Sequence, residues 1–118
     1  MPYVDGFVLP VPVKNLEAYR RMSRKAGKVW MEHGALEYRE CAGDDLNLKM
    51  AVNFPKMAKV KKGETVVFSW IVYKSKAHRD RVNKKVMVDP RITSIDPRTM
   101  PFDWKRMMYG GFKTIVDM

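Results

Sequence analysis

The stretch Thr65-Val66-Val67-Phe68-Ser69-Trp70-Ile71-Val72-Tyr73 constrains the fold of this chain more than any other. Read with the two-residue period of a strand, it sets Val66, Phe68, Trp70 and Val72 on one face and Thr65, Val67, Ser69, Ile71 and Tyr73 on the other. Neither face suits water. A strand apolar on both sides must be covered on both, and 118 residues supply one core but hardly helices for both faces of a sheet. Another copy of the chain is the economical second cover, so the pattern predicts a homodimer with its sheets packed face to face.

The rest of the chain supplies the partners of that strand. Tyr3 to Val11 alternates as a strand ended by Pro10 and Pro12, with Tyr3, Asp5, Phe7 and Leu9 on one face. Asp5 thus shares a face with two aromatics, where a carboxylate needs a partner, a use or a strand end in water. From about Asn15 the period becomes helical, with Leu16, Tyr19, Ser23, Ala26, Trp30 and His33 on one stripe, and Gly34 is the expected stop. Gly27 inside this helix is expected to permit a close backbone approach. Ala35 to Ala42 reads as a second strand, with Leu36, Tyr38, Glu40 and Ala42 on one face. Leu46 to Val60 reads as a loop, long enough to be a candidate lid. Ser75 is expected to cap a second helix over Lys76 to Val88 whose inward stripe is His78, Val82 and Val86, with Arg79 and Lys84 outside. Met107 to Val116 closes the chain as a strand whose Gly110-Gly111 pair suggests a bulge or a bend. The order is βαββαβ. It predicts an α+β fold of ferredoxin-like type, a single domain over residues 1–118 with an antiparallel sheet and both helices on one face.

Composition narrows the function classes. With 46% apolar and 11% aromatic residues the chain is expected to be folded throughout. No apolar run approaches the roughly 20 residues that span a bilayer, and the first residues lack a signal-peptide pattern, so a soluble cytoplasmic protein with no membrane partner is expected. The net charge of +10 favours anionic partners, yet the basic residues are scattered with no dense tract or nucleic-acid signature, which argues for a solvated surface over a nucleic-acid site. Cys41 is the one cysteine; it is expected to be an inert, half-buried thiol. No P-loop, dinucleotide fingerprint, nucleophile elbow or metal-ligand spacing is present, so no cofactor or metal is expected.

The blocks Tyr3-Val4-Asp5-Gly6-Phe7, Gly27-Lys28-Val29-Trp30, Glu32-His33-Gly34-Ala35-Leu36-Glu37-Tyr38, Glu64 to Trp70, Ala77-His78-Arg79-Asp80, Pro101-Phe102-Asp103 and Arg106 to Phe112 together resemble the YbaA-like family of small bacterial proteins. The resemblance covers nearly the whole chain. It implies the dimeric α+β-barrel superfamily, in which two ferredoxin-like sheets pack face to face. That superfamily includes cofactor-free monooxygenases of aromatic substrates, haem-degrading enzymes, muconolactone isomerase-like proteins and regulator ligand domains, while the family itself has no established activity to carry over. Between Leu46 and Lys59 this chain lacks a glycine expected of its relatives.

The residues that the helix and strand periods direct between helices and sheet are Tyr3, Asp5, Trp30, His33, His78 and Tyr109. His33 and His78 are the catalytic candidates, as general base or hydrogen-bond donor toward an aromatic ligand. Against that role stand a helix C-terminal duty for His33 and a helix-start duty for His78. Tyr3, Asp5, Trp30 and Tyr109 are the ligand-binding candidates; Tyr109 beside two glycines is the one most expected to line a pocket, because the missing side chains leave space beside its phenol. Two functions are therefore weighed. One is a homodimer that binds or transforms a small aromatic or lipophilic molecule in a pocket between helices and sheet, in the manner of a cofactor-independent oxygenase or isomerase. The other is a non-catalytic ligand-binding or regulatory protein whose basic surface meets an acidic partner or nucleic acid.

Overall fold

A computed structural model describes all 118 residues. Its strands are β1 (Tyr3–Pro12), β2 (Glu37–Ala42), β3 (Glu64–Tyr73) and β4 (Met108–Lys113); its helices are α1 (Leu16–Glu32), the short α2 (Phe54–Met57), α3 (Lys76–Val86) and the short α4 (Pro90–Thr93). The strands form one sheet in the order β2-β3-β1-β4, antiparallel throughout. The order βαββαβ and the antiparallel sheet are those read from the periodicities, with α2 and α4 added. No helix is long and apolar enough to cross a membrane.

Strand β1 runs through both prolines expected to end it. Its pairing with β4 stops at Val8 opposite Met108, so from Leu9 onward β1 lies at the edge of the sheet, where a residue without an N–H is tolerated. The helical boundaries follow from local chemistry. Gly34 has a φ of +114°, the left-handed conformation that stops α1 at little cost to a residue without Cβ. The Ser75 hydroxyl accepts from the His78 N–H at 3.1 Å and starts α3 as expected. Gly27 is buried, and a Cβ there would come within 2.9 Å of the Tyr38 ring, so this glycine sets how closely α1 approaches β2.

Both long helices lie on one face of the sheet. That face carries Leu9, Val11, Val67, Ile71 and Tyr73, which pack with Tyr19 and Val29 of α1 and Val82 and Val86 of α3; Phe7 touches both halves of this core. The extents of 38 × 37 × 19 Å correspond to one helix layer on one sheet layer. The opposite face carries Val4, Val8, Val66, Phe68, Trp70, Val72, Met108 and Phe112, as the register with β1 and β4 requires. It is only partly covered: Phe68 is 43% and Phe112 61% exposed.

Three expectations are corrected. The 46–60 segment is not a lid over a site; it contains α2, and Phe54 packs edge-on against Phe68 at 6.1 Å on the open side of the sheet. The glycine pair in β4 makes no bulge, since Gly110 and Gly111 stay in register with Gly6 and Asp5. Gly111 instead makes room for Tyr3, whose Cε2 lies 2.9 Å from where its Cβ would stand. Finally, Arg79 is not outside α3. Its side chain is 15% exposed and, with Val82, Asn83 and Val86, follows the i, i+3, i+4, i+7 spacing of an inward face.

Candidate functional site

Between α1, the covered face of the sheet, the end of α3 and the 100–107 connection lies a cavity of about 400 Å³. Its walls are mostly apolar: Phe7 and Leu9 of β1, Met22 and Trp30 of α1, and Phe102 and Met107 of the connection all face it. Such a space, apolar with a few fixed polar groups, is the usual form of a small-molecule site.

One end of the cavity is built on Asp5. The residue is 1% exposed, because its position in β1 turns it under the helices beside Phe7. A lone buried carboxylate is very costly, and Arg79 supplies the charge that offsets it: its Nη1 donates to Asp5 Oδ1 at 2.7 Å. Arg79 Nε donates to Asp80 Oδ1 at 2.8 Å, and the guanidinium sits 5.0 Å from the centre of the Tyr3 ring, so three side chains hold it. Burial raises the Asp5 pKa above the ordinary aspartate value, against the opposing pull of Arg79, Asn83 and Tyr73. Tyr109, on the neighbouring strand, stacks on Phe7 with ring centres 4.8 Å apart; burial and the Asp5 charge raise the pKa of its phenol, which stays a donor at neutral pH. Asn83 Oδ1 accepts from Trp30 Nε1 at 3.1 Å and from the Tyr73 hydroxyl at 3.3 Å, fixing both rings.

The other end is built on Glu40 of β2. Its two carboxylate oxygens accept from the Tyr19 and Tyr38 hydroxyls, each at 2.7 Å. Burial, then the Glu40 charge, raises both phenol pKa values far above the ordinary tyrosine value, so these groups remain protonated donors. Every buried side-chain nitrogen and oxygen in the protein has a partner. The cavity therefore offers a preformed apolar space whose polar groups are already engaged.

Of the residues expected at a site, the structure brings Asp5, Trp30 and Tyr109 together as cavity lining. Tyr3 stands behind them, under Arg79. The two histidines lie elsewhere. His33 follows α1, and its Nε2 is 2.9 Å from Asp89 Oδ2. His78 Nδ1 accepts from the Lys74 N–H at 2.9 Å at the start of α3, its ring edge-on to Tyr73, and burial followed by nearby cations lowers its pKa. Neither lines the cavity, so neither has the reach to its contents that a base requires. Arg79, Asn83, Tyr19 and Glu40 were not singled out in the sequence. A carboxylate on an aromatic strand face did signal the need for a cation, and the 79, 82, 83, 86 spacing marks which helix position supplies it. No group of three or more His, Cys, Asp or Glu is placed to hold a metal ion.

Residues 2–104 match a family model described as "Protein of unknown function (DUF1428)". The chain is 47% identical over 117 residues to "Uncharacterized protein YbaA" of Escherichia coli K12, covering 99% of each chain, and equally similar to YbaA of Shigella flexneri. Among solved structures it is similar to an uncharacterized NIPSNAP domain protein from Burkholderia xenovorans, with a TM-score of 0.60 and 12% identity over 95% of this chain and 93% of that one. The last likeness concerns the fold, which fits the dimeric α+β-barrel type expected from the sequence. The chain belongs to the DUF1428 family, and its resemblance to YbaA extends over its full length.

Proposed function

We propose that this member of the DUF1428 family is a homodimeric ligand-binding protein, each subunit of which holds a small aromatic or lipophilic molecule between its helices and its sheet. The observation that carries the reading is the apolar cavity of about 400 Å³ with a buried Asp5–Arg79 pair in its wall. The dimer is supported by the open sheet face, whose exposed Phe68, Met108 and Phe112 suit a second copy of the same face. If the protein also transforms its ligand without a cofactor, as an oxygenase or isomerase would, Asp5 and Tyr109 are better placed to act than His33 or His78. A carboxylate with a raised pKa, beside a phenol that can donate, is the kind of pair that moves a proton on a bound molecule.

The experiment is binding of the small neutral fluorophore 1-aminonaphthalene, which is within the size limit of the cavity, followed by its emission. Saturable binding to the native protein, weakened more than tenfold by Ala26→Trp with the far-UV dichroism unchanged, is the expected result, since Ala26 faces the cavity from α1. Equal binding by Ala26→Trp would place the dye elsewhere and remove the support for this reading.

A further inference from the structure

We propose that the ligand is an amphiphile with an oxyanion head, its apolar body in the cavity and its head in a separate basic groove on the outer side of α1. The inference rests on the cavity being the ligand site and adds the chemical class of what occupies it.

The groove, about 760 Å³, lies between α1 and the 91–101 segment. Helical spacing sets two adjacent rows on α1: Arg21, Lys25 and Lys28 turn to the groove, while Met22 and Ala26, each one position further on, face both groove and cavity. Met100 faces both spaces from the opposite segment. The boundary is therefore two flexible thioethers and one methyl group, a passage that can adapt to a chain lying across it.

The charges select the sign of the head. Arg91 joins the three cations of α1 in the groove wall, against the single carboxylate of Asp96. Asp96 is already engaged, accepting from Arg98 Nη2 at 3.0 Å and from the Arg98 N–H. Arg91 is paired with Asp89 and Glu32, whereas Lys25 and Lys28 make no ion pair at all. The cavity cannot take the head instead. It offers no free cation, since the Arg39 in its lining is paired with Glu37 and Arg79 with Asp5, and its buried polar atoms are all satisfied. A space of 400 Å³ accommodates about 13 heavy atoms at roughly 30 Å³ each, which limits the apolar body to a medium chain or a small ring system.

The test compares decan-1-ol, decanoate and decyl phosphate by calorimetry below their aggregation concentrations, on the native protein and on Lys25→Glu/Lys28→Glu. Native protein is expected to bind at least one anion tenfold or more tightly than the alcohol, the ratio of the two anions identifying the head. The double variant and 0.5 M salt are each expected to erase the preference while the alcohol still binds. Equal affinity for alcohol and anions in the native protein, or a preference that survives the double variant, overturns the inference and leaves the cavity reading standing. Failure of all three compounds to bind overturns both.

Discussion

The two faces of β3 are nearly equal in apolar content and differ in what they ask of the rest of the chain. On the covered face, Val67, Ile71 and Tyr73 are at most 3% exposed and lie among buried polar groups that all have partners: Asp5 with Arg79, Glu40 with two phenols, Asn83 with Trp30 and Tyr73. On the open face the polar partners are fewer and lie nearer the edge, with Trp70 Nε1 donating to Glu37 at 3.0 Å. A buried polar network has to be complete within the chain, so the covered face is specified in detail by residues far apart in sequence. An apolar surface needs only another apolar surface, and Phe54 supplies one to a single corner of the open face. The first face fixes the fold and the cavity; the second stays partly open in the single chain.

The largest effect expected is on the covered face. Asp5→Ala strands Arg79 beneath the helices, and removing one member of a buried pair costs about 3–5 kcal/mol. Urea unfolding should show that loss, and Asp5→Ala combined with Arg79→Met should recover part of it, because no buried charge is then left unpaired. A single loss below about 1 kcal/mol would mean that water reaches the pair and that the covered face tolerates an unpaired charge.

A smaller change in monomer stability and a larger one in assembly is expected on the open face. Phe68→Glu forfeits packing with Phe54 and Trp70 at a half-exposed site, about 1 kcal/mol of fold stability, yet places a charge at the centre of the proposed dimer contact. Sedimentation of the native chain should report a dimer at micromolar concentration and of the variant a folded monomer. A native chain that is monomeric across a concentration series would show that the open face tolerates water.

How much of this was legible in the sequence follows from the same contrast. Element order was readable because strand and helix periods depend on local alternation, and the Thr65–Tyr73 strand announced the helix-covered face and an apolar second one. The phase of α3 was misread because only Val82 and Val86 mark its apolar stripe; His78 and Arg79 fit that stripe about equally well, and the choice depended on Asp5, 74 residues away. Glu40 was placed on the correct face beside Tyr38, but its second phenol comes from α1, so no local pattern showed the clamp. The 46–60 segment has no period because Phe54 serves a corner of the open face, while Leu48, Met50, Val52 and Met57 stay exposed. The histidines drew notice through their chemistry, which says nothing of position.

The smallest effect, and the sharpest discriminator between a buried pair under strain and a surface pair at ease, is the acid side of the stability curve. Burial raises the Asp5 pKa, so the native state holds that proton more tightly than the unfolded chain does; this contribution is full below the unfolded value near 3.8 and is lost as pH rises through the higher native value. Glu64 behaves in the opposite way. Hydrogen bonds from Arg106 Nη1 and Nη2, at 2.7 and 2.9 Å, depress its pKa, so its contribution is present above about 4.5 and is lost as pH falls through the lower native value. Where these ranges overlap the two groups oppose each other and flatten the curve. Arg106→Met should remove the Glu64 contribution, lowering stability at pH 7 while weakening the dependence below pH 4.5. Asp5→Asn should do the reverse, steepening the rise of stability with pH because only the depressed carboxylates then remain. Parallel curves for the native protein and Asp5→Asn between pH 3 and 7 would show that Asp5 carries no proton linkage and would withdraw it as a proton-transferring group in the cavity.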